Sequence, residues 1–271
     1  MAEVDDRLLN DGFEHSDIRK VVNLVSSSWN VADLSRFMYG SRMINSVNKK
    51  EVKVLDIGCS SGRLMQVQQT FARTPATKRI QYIGVDMRES SLKKVRNFAD
   101  ENLSKEARKR VFTENLNMTE QSDCKKLIKK YGKFDVVVLF EVFEHLPIGE
   151  HEKTLRYMSK LLDDNGIMIL STPVHFVEEQ MYWPDDHEKE FMYEELKELL
   201  EKYFVIVHSC GNHIDANKLK RKLKEEQNVY ELYKALLDKS KNGVWLNEIF
   251  GAKYEECCKG HMFTCKKRGE K

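Results

Sequence analysis

The chain has 271 residues, 41% hydrophobic and 32% charged, so it carries apolar material for one sizeable core and lacks the composition of a disordered chain. Its 45 Lys and Arg are balanced by 43 Asp and Glu, a net charge of +2 that excludes nucleic-acid binding through bulk electrostatics and leaves only a local basic patch. The six cysteines, Cys59, Cys124, Cys210, Cys257, Cys258 and Cys265, never take C-x-x-C spacing and read as reduced thiols; the acidic start MAEVDDRLLNDGFEHSD is unlike a signal peptide and no apolar run has membrane-spanning length, so a cytoplasmic protein is expected.

Ahead of the first strand, Val31, Leu34, Phe37, Met38, Ile44 and Val47 recur at helix-like intervals. They predict one or two helices over residues 15–48, and residues 1–50 are expected to form a helical cap on a domain of residues 51–271. Strands are predicted at Lys53–Ile57, Gln81–Asp86, Arg110–Leu116, Phe134–Phe140 and Gly166–Thr172, alternating with helices at Ser90–Leu103, Ser122–Tyr131 and Glu150–Leu162. DVVVLF and IMILS are nearly continuous apolar runs, as strands covered on both faces should be, and belong in mid-sheet. After Thr172 the irregular stretch PVHFVEEQMYWPDDHEKEF is a candidate substrate loop. A helix at Tyr193–Lys202 and a strand at Phe204–His208 follow. A helical insert of about residues 212–258, with helical stretches at Ala216–Asn228 and Tyr230–Lys239, precedes a last strand at Gly260–Lys266. The alternation defines an α/β fold: a doubly wound, mostly parallel sheet of seven strands.

VKVLDIGCSSGRL runs an apolar strand directly into Asp56, Gly58 and Gly62, a D-x-G-x-x-x-G turn opening a helix. Glycine is wanted there because the turn needs unusual backbone angles and a ligand must approach the main chain. The spacing is neither the G-x-G-x-x-G of a dinucleotide fold nor a phosphate loop with its Lys followed by Ser or Thr. YIGVD ends the second strand with Asp86, 24 residues after Gly62, about where an acidic residue grips a ribose diol. Two charge-assisted hydrogen bonds to the hydroxyls could contribute roughly 1.5–3 kcal/mol each. Alone, Asp86 reads equally well as a turn residue closing a strand; joined to the glycine turn at this distance, it reads as a nucleoside ligand.

With these residues in view, the sequence resembles the class I S-adenosylmethionine-dependent methyltransferases, especially the group that includes ubiquinone-biosynthesis O-methyltransferases and many small-molecule enzymes. The likeness covers roughly Val52–Phe204 and rests on LDIGCSSG, IGVD, FDVVVLFEVFEHLP, LLDDNGIMILSTP and the H-x-x-x-F-x-x-x-x-L of HEKEFMYEEL, in that order. It departs from the usual first motif at Ser60, which stands where a glycine is common. The resemblance implies a Rossmann-like fold and S-adenosylmethionine as cofactor. Gly58 and Gly62 would frame its methionine portion beside Asp56, Asp86 would hold the ribose, and Asn117 would meet the adenine. Phe140 and Glu141 would lie beside it at the carboxyl edge of the sheet.

A sulfonium cofactor brings its own leaving group, so the protein mainly aligns an acceptor, an effect worth about 7–11 kcal/mol in favourable cases. A hydroxyl acceptor must also lose a proton, which requires a base or a Lewis acid. EVFEH offers Glu141, Glu144 and His145; on a helix opening there, all three could share a face and meet one divalent ion such as magnesium. Ubiquinone-pathway O-methyltransferases and small-RNA 3′-terminal 2′-O-methyltransferases use a similar E-x-x-E-H segment to hold a metal. In the RNA enzymes a further histidine comes from beyond the fifth strand, where this chain has His175 and His187. The alternative is that Glu144 and His145 form hydrogen bonds near the cofactor loop without an ion. His187 reads as general base, metal ligand or helix cap, so catalytic roles are expected of Glu144, His145 and His187.

Tyr182 and Trp183 could stack on a flat acceptor or seal a core edge. KLKRKLKEE, from Lys218, reads as a solvated face before a phosphate-binding one. FEVFEHLP stands where DNA amino-methyltransferases carry N-P-P-Y or D-P-P-Y and cytosine C5 enzymes carry Pro-Cys, which disfavours base methylation by those routes. Three readings follow: O- or N-methylation of a small molecule, with oxygen first; metal-assisted 2′-O-methylation of RNA or a nucleotide; and a catalytically silent cofactor-binding regulatory module. Neither the acceptor nor the oligomeric state is legible in the residues.

Overall fold

The structure is a computed structural model that describes residues 31–70, 78–176, 184–224, 226–239 and 244–268. A seven-strand path runs β3-β2-β1-β4-β5-β8-β7, with β1 at Glu51–Ile57, β2 at Arg79–Asp86, β3 at Val111–Asn115, β4 at Phe134–Phe140, β5 at Leu162–His175, β7 at Phe204–Ile214 and β8 at Cys258–Lys267. A two-residue strand, β6 at Phe191–Met192, pairs with the end of β5. β1 to β5 are parallel neighbours, and β8 lies antiparallel between β5 and β7.

The alternation within β4 shows why the sheet is covered on both faces. Val137 and Leu139 join Leu55, Ile83 and Met168 in a core closed by Leu127, Leu155 and Leu196. These three come from helices α5 at Gln121–Tyr131, α6 at His151–Leu161 and α7 at Tyr193–Glu201. Val136 and Val138 point the other way, into a second core with Val54, Ile169, Tyr39, Ile44 and Leu64. Tyr39 and Ile44 come from α1 at Val31–Ser46, and Leu64 from α2 at Arg63–Thr70. Successive side chains on a strand face opposite ways, so one apolar run serves both layers. Helices α3 at Glu89–Asn102 and α4 at Lys105–Arg108 complete the βα units.

The insert differs from the expected pair of helices. It contains α8 at Ala216–Lys222, α9 at Gln227–Lys239 and α10 at Val244–Lys253. Ile214, Leu219, Tyr230, Tyr233 and Tyr254 form a small core of their own there. β7 continues to Ile214, well past the expected end at His208, because it stays paired with β8 as far as Ile214 opposite Cys258, beyond a register shift between Ile206 and His208. That bulge breaks the strand's period of two and hides its second half from pattern reading. All six cysteines are free and buried. Among the described residues no helix is long and apolar enough to cross a membrane. Residues 15–30 of the expected helical preface, and Tyr182 and Trp183, lie outside the described residues.

Candidate active site

The strand order reverses between β1 and β4, and open α/β sheets bind ligands in the crevice beyond the carboxyl ends at such a switch. A cavity of about 800 Å³ lies there, lined by Asp56, Gly58, Asp86, Asn117, Phe140, Glu141 and His145 among others. The turn after β1 is pinned by Cys59 N–H donating to the Val85 carbonyl at 3.0 Å and Gly62 N–H donating to the Cys59 carbonyl at 2.8 Å. Gly58 has φ of +66°, and a Cβ there would collide with Cγ2 of Val142, so the cradle admits no side chain. Gly62 contributes through packing. It is absent from the cavity lining, and a Cβ on it would stand 3.1 Å from Val95 of α3, so it lets the turn pack on that helix. Ser60, the departure from the family motif, takes φ of +48° without glycine's freedom, and its N–H donates to Asp86 Oδ2 at 3.0 Å.

Asp86 is buried, and its Oδ1 accepts from Arg88 N–H at 2.8 Å. A carboxylate offers about four lone-pair sites; two take these backbone donors and the exposed Arg88 side chain places Nε 3.4 Å from Oδ1, so a diol is accommodated once that side chain swings away. Asp56 accepts from the Tyr82 hydroxyl at 2.5 Å, and burial pushes its carboxyl up to about 7. A cationic ligand group beside it would draw that value back down, which suits a sulfonium or an ammonium. Asn117 lines the cavity, with its Oδ1 accepting from Thr119 N–H at 3.1 Å and its own N–H donating to Asp123 Oδ2 at 2.9 Å. From α1, Arg36 and Phe37 close the wall. The apolar spacing of α1 foretold a helix beside the sheet, but not that Arg36 would reach Glu141 at 2.8 Å.

EVFEH is not the helix its spacing suggested. Glu141 turns through φ of +52°, and only Phe143–His145 wind into a short 3-10 turn. The carboxylate of Glu141 accepts from Ser171 Oγ at 2.8 Å and pairs with Arg36, so it is not among the side chains that converge nearby. Those are Glu144, His145 and His187, whose potential ligand atoms all lie within 4.8 Å of one another. Glu144 is buried; its Oε2 accepts from Thr172 Oγ1 at 2.9 Å, and its backbone carbonyl accepts from the N–H groups of Glu188 and Lys189 at 2.9 and 3.1 Å. Those last two bonds stitch the segment carrying His187 to the end of β4. Burial, with the charge of Glu141 adding to it, pushes the Glu144 carboxyl up. The Nδ1–H of His145 donates to the Asp186 carbonyl at 2.6 Å, and its Nε2 lies 4.0 Å from Glu144 Oε1. The rings of His145 and His187 meet edge to face at 4.8 Å. His187 does not cap α7, whose N-cap is Met192. His175 stays apart from the trio and reaches Glu190. Sequence reasoning missed Thr172, Asp186 and Glu190; each is a polar residue in a loop or strand end with no periodic signal.

A cavity at the carboxyl edge of a sheet in this strand order is the arrangement of a doubly wound, Rossmann-like ligand-binding fold. The family model described as a methyltransferase domain matches residues 48–248, and the chain belongs to that family. The ubiquinone biosynthesis O-methyltransferase of Coxiella burnetii (strain RSA 331 / Henzerling II) is 25% identical over 175 residues, 61% of this chain and 64% of that relative. The chain thus spans less than two thirds of that relative's length. Among solved structures, an S-adenosylmethionine-dependent methyltransferase from Clostridium acetobutylicum ATCC 824 superposes with a TM-score of 0.54 at 11% identity, covering 94% of this chain and 98% of that one. Coclaurine N-methyltransferase, bound to N-methylheliamine and SAH, gives a TM-score of 0.52 at 15% identity, covering 85% of this chain and 70% of that one. Both likenesses are of fold. What the comparisons establish for this chain is a methyltransferase domain over residues 48–248.

Proposed function

We propose that this enzyme methylates a hydroxyl oxygen with the help of a divalent ion held by Glu144, His145 and His187. The observation that carries the reading is the convergence of those three side chains within 4.8 Å at the rim of the cofactor cavity. The donor set fits an ion: one buried carboxylate, whose burial a cation would offset, and two imidazoles with Nε2 available. Two nitrogens and one oxygen suit a first-row transition ion better than magnesium, which prefers an all-oxygen shell. The ubiquinone O-methyltransferase names among the relatives support oxygen as the acceptor atom.

When bound, S-adenosylmethionine supplies an activated methyl group, and the ion supplies Lewis-acid polarisation of the acceptor hydroxyl. The chain's own residues do the rest. Asp86 orients the ribose, Gly58 lets the turn approach the methionine portion, Asn117 directs a polar group towards the adenine, and Phe140 with Phe37 excludes water. Asp56 and Glu141 place negative charge near the sulfonium, with Arg36 and Ser171 holding Glu141 still. Glu144, His145 and His187 fix where an acceptor oxygen can sit, and that alignment is the main source of acceleration.

The acceptor is a small molecule in the first reading. A second reading, 2′-O-methylation of RNA or a nucleotide, is favoured by the arrival of His187 from beyond β5. Both are tested by incubating the enzyme with labelled S-adenosylmethionine and cell extract, with and without chelator and nuclease. Transfer lost to chelator and restored by Mn²⁺ is expected, and undiminished transfer in chelator would overturn the ion's role. Label that survives nuclease in the low-mass fraction identifies the first reading; label removed by nuclease from a polymer identifies the second.

A further inference from the structure

Two histidines share one buried carboxylate. β5 ends at His175, and β6 pairs beside it, with Val174 opposite Phe191 and His175 opposite Met192. Glu190, the residue before β6, is thereby set between the end of β5 and the loop that carries His187. Its Oε1 lies 2.6 Å from His187 Nδ1 and its Oε2 lies 2.7 Å from His175 Nε2, with the Glu190 side chain only 9% exposed. A carboxylate can only accept, so each ring nitrogen that touches it must carry a proton. A neutral imidazole has a single N–H, so in its neutral form His187, bonded to this carboxylate through Nδ1, keeps its lone pair on Nε2. The Asp186 carbonyl imposes the same choice on His145 through Nδ1 at 2.6 Å.

We infer that Glu190 is a positioning residue that holds His187 as the Nδ1–H tautomer with Nε2 turned towards Glu144 and His145, and that His175 is the tie that fixes Glu190 to the sheet. The ion-binding part of this inference rests on the function proposed above; the tautomer and orientation do not. The physical reason for such a device is the origin of His187. Glu144 and His145 sit on the short turn that leaves β4, whereas His187 comes from a loop, where an imidazole is free to rotate and to exchange tautomers. A hydrogen-bonded carboxylate removes both freedoms, as the outer partners of metal-binding histidines do, and their loss typically weakens ion affinity by about 10- to 100-fold. His175, on the regular end of β5, gives that carboxylate a rigid second anchor.

The test compares wild type, Glu190→Gln and His175→Gln by imidazole ¹⁵N NMR, by Mn²⁺ titration with EPR detection, and by calorimetry with S-adenosylmethionine. Glutamine preserves the volume at position 190 but can donate as well as accept. In wild type, His187 is expected to show a protonated Nδ1 and an unprotonated Nε2. In Glu190→Gln that pattern should give way to a tautomer mixture and Mn²⁺ affinity should fall by about 10- to 100-fold, while cofactor affinity holds. His175→Gln should move both signals in the same direction by less. Unchanged His187 signals in Glu190→Gln, a wild-type His187 protonated on both nitrogens, or Mn²⁺ and cofactor affinities falling together would overturn the inference, the last because it marks a collapsed loop. Absence of Mn²⁺ binding in wild type would sink the ion reading instead, and the NMR arm would still decide what Glu190 does.

Discussion

At Gly58 two constraints coincide: φ of +66° and a Cβ direction occupied by Val142. Gly58→Ala is therefore expected to lose about 1–3 kcal/mol in denaturant unfolding and to weaken S-adenosylmethionine binding. Adding Val142→Ala should recover the steric part but leave the backbone strain; a double variant no more stable than the single one would contradict this. Asp86 stands where two ribose hydroxyls would share one carboxylate, so Asp86→Ala should reduce cofactor affinity by more than tenfold, at roughly 1.5–3 kcal/mol for each bond lost. Unchanged affinity by calorimetry would count against this geometry. The motif residues were legible because spacing alone carries them. The fate of Glu141 was not, since its left-handed turn and its pairing with Arg36 and Ser171 depend on elements more than 25 residues away in either direction.

At the scale of elements, β8 is informative because it lies between β5 and β7, with His261 opposite Thr172 on one side and Gly211 on the other. The ring is fully buried against Tyr193 and Phe263, at centroid distances of 4.9 and 4.8 Å; neither nitrogen makes a hydrogen bond, and the nearest carboxylate oxygen, Glu255 Oε2, stands 3.4 Å from Nε2. Burial, helped by the nearby His208, pushes the imidazole from its ordinary 6.5 down to about 3. Between those values the unfolded chain takes up a proton that the folded chain refuses, so this residue makes stability fall as pH drops from about 6.5 towards 3. His261→Leu should therefore gain about 2 kcal/mol relative to wild type between pH 7 and pH 5. A stability difference that stays constant with pH would show that His261 is not the cause. The strands and helices of the βα units were legible within a few residues because their apolar periods are regular. The extension of β7 and the helix α10 were not: a bulge scrambles the first, and the second packs against β7, where Gly251 backs onto Gly211, and against α1 as well as the insert's own core, so its apolar residues follow no single face.

For the molecule as a whole, the proposed function puts cofactor binding and acceptor chemistry in neighbouring but separable places, the first in the cavity and the second beside His145 at its wall. Saturating S-adenosylmethionine at 100 times its Kd should stabilise the fold by about 2.7 kcal/mol, read as a rise in Tm. Glu144→Ala should keep that rise yet lose ion-dependent turnover; losing both together would mean that the two parts are not separable. The sequence foretold a doubly wound, mostly parallel sheet of seven strands, though not their order. It could not foretell that the loop after β5 folds back to bring His187 against Glu144, because that closure is made by backbone bonds from Glu188 and Lys189 to the Glu144 carbonyl, which any residue types could form. The most direct measurement is a crystal structure with S-adenosylhomocysteine and Mn²⁺, recorded for anomalous scattering. The expected result is a nucleoside with its ribose hydroxyls on Asp86 and one anomalous peak bounded by Glu144, His145 and His187; a nucleoside away from Asp86, or no peak among those three side chains, would contradict the account.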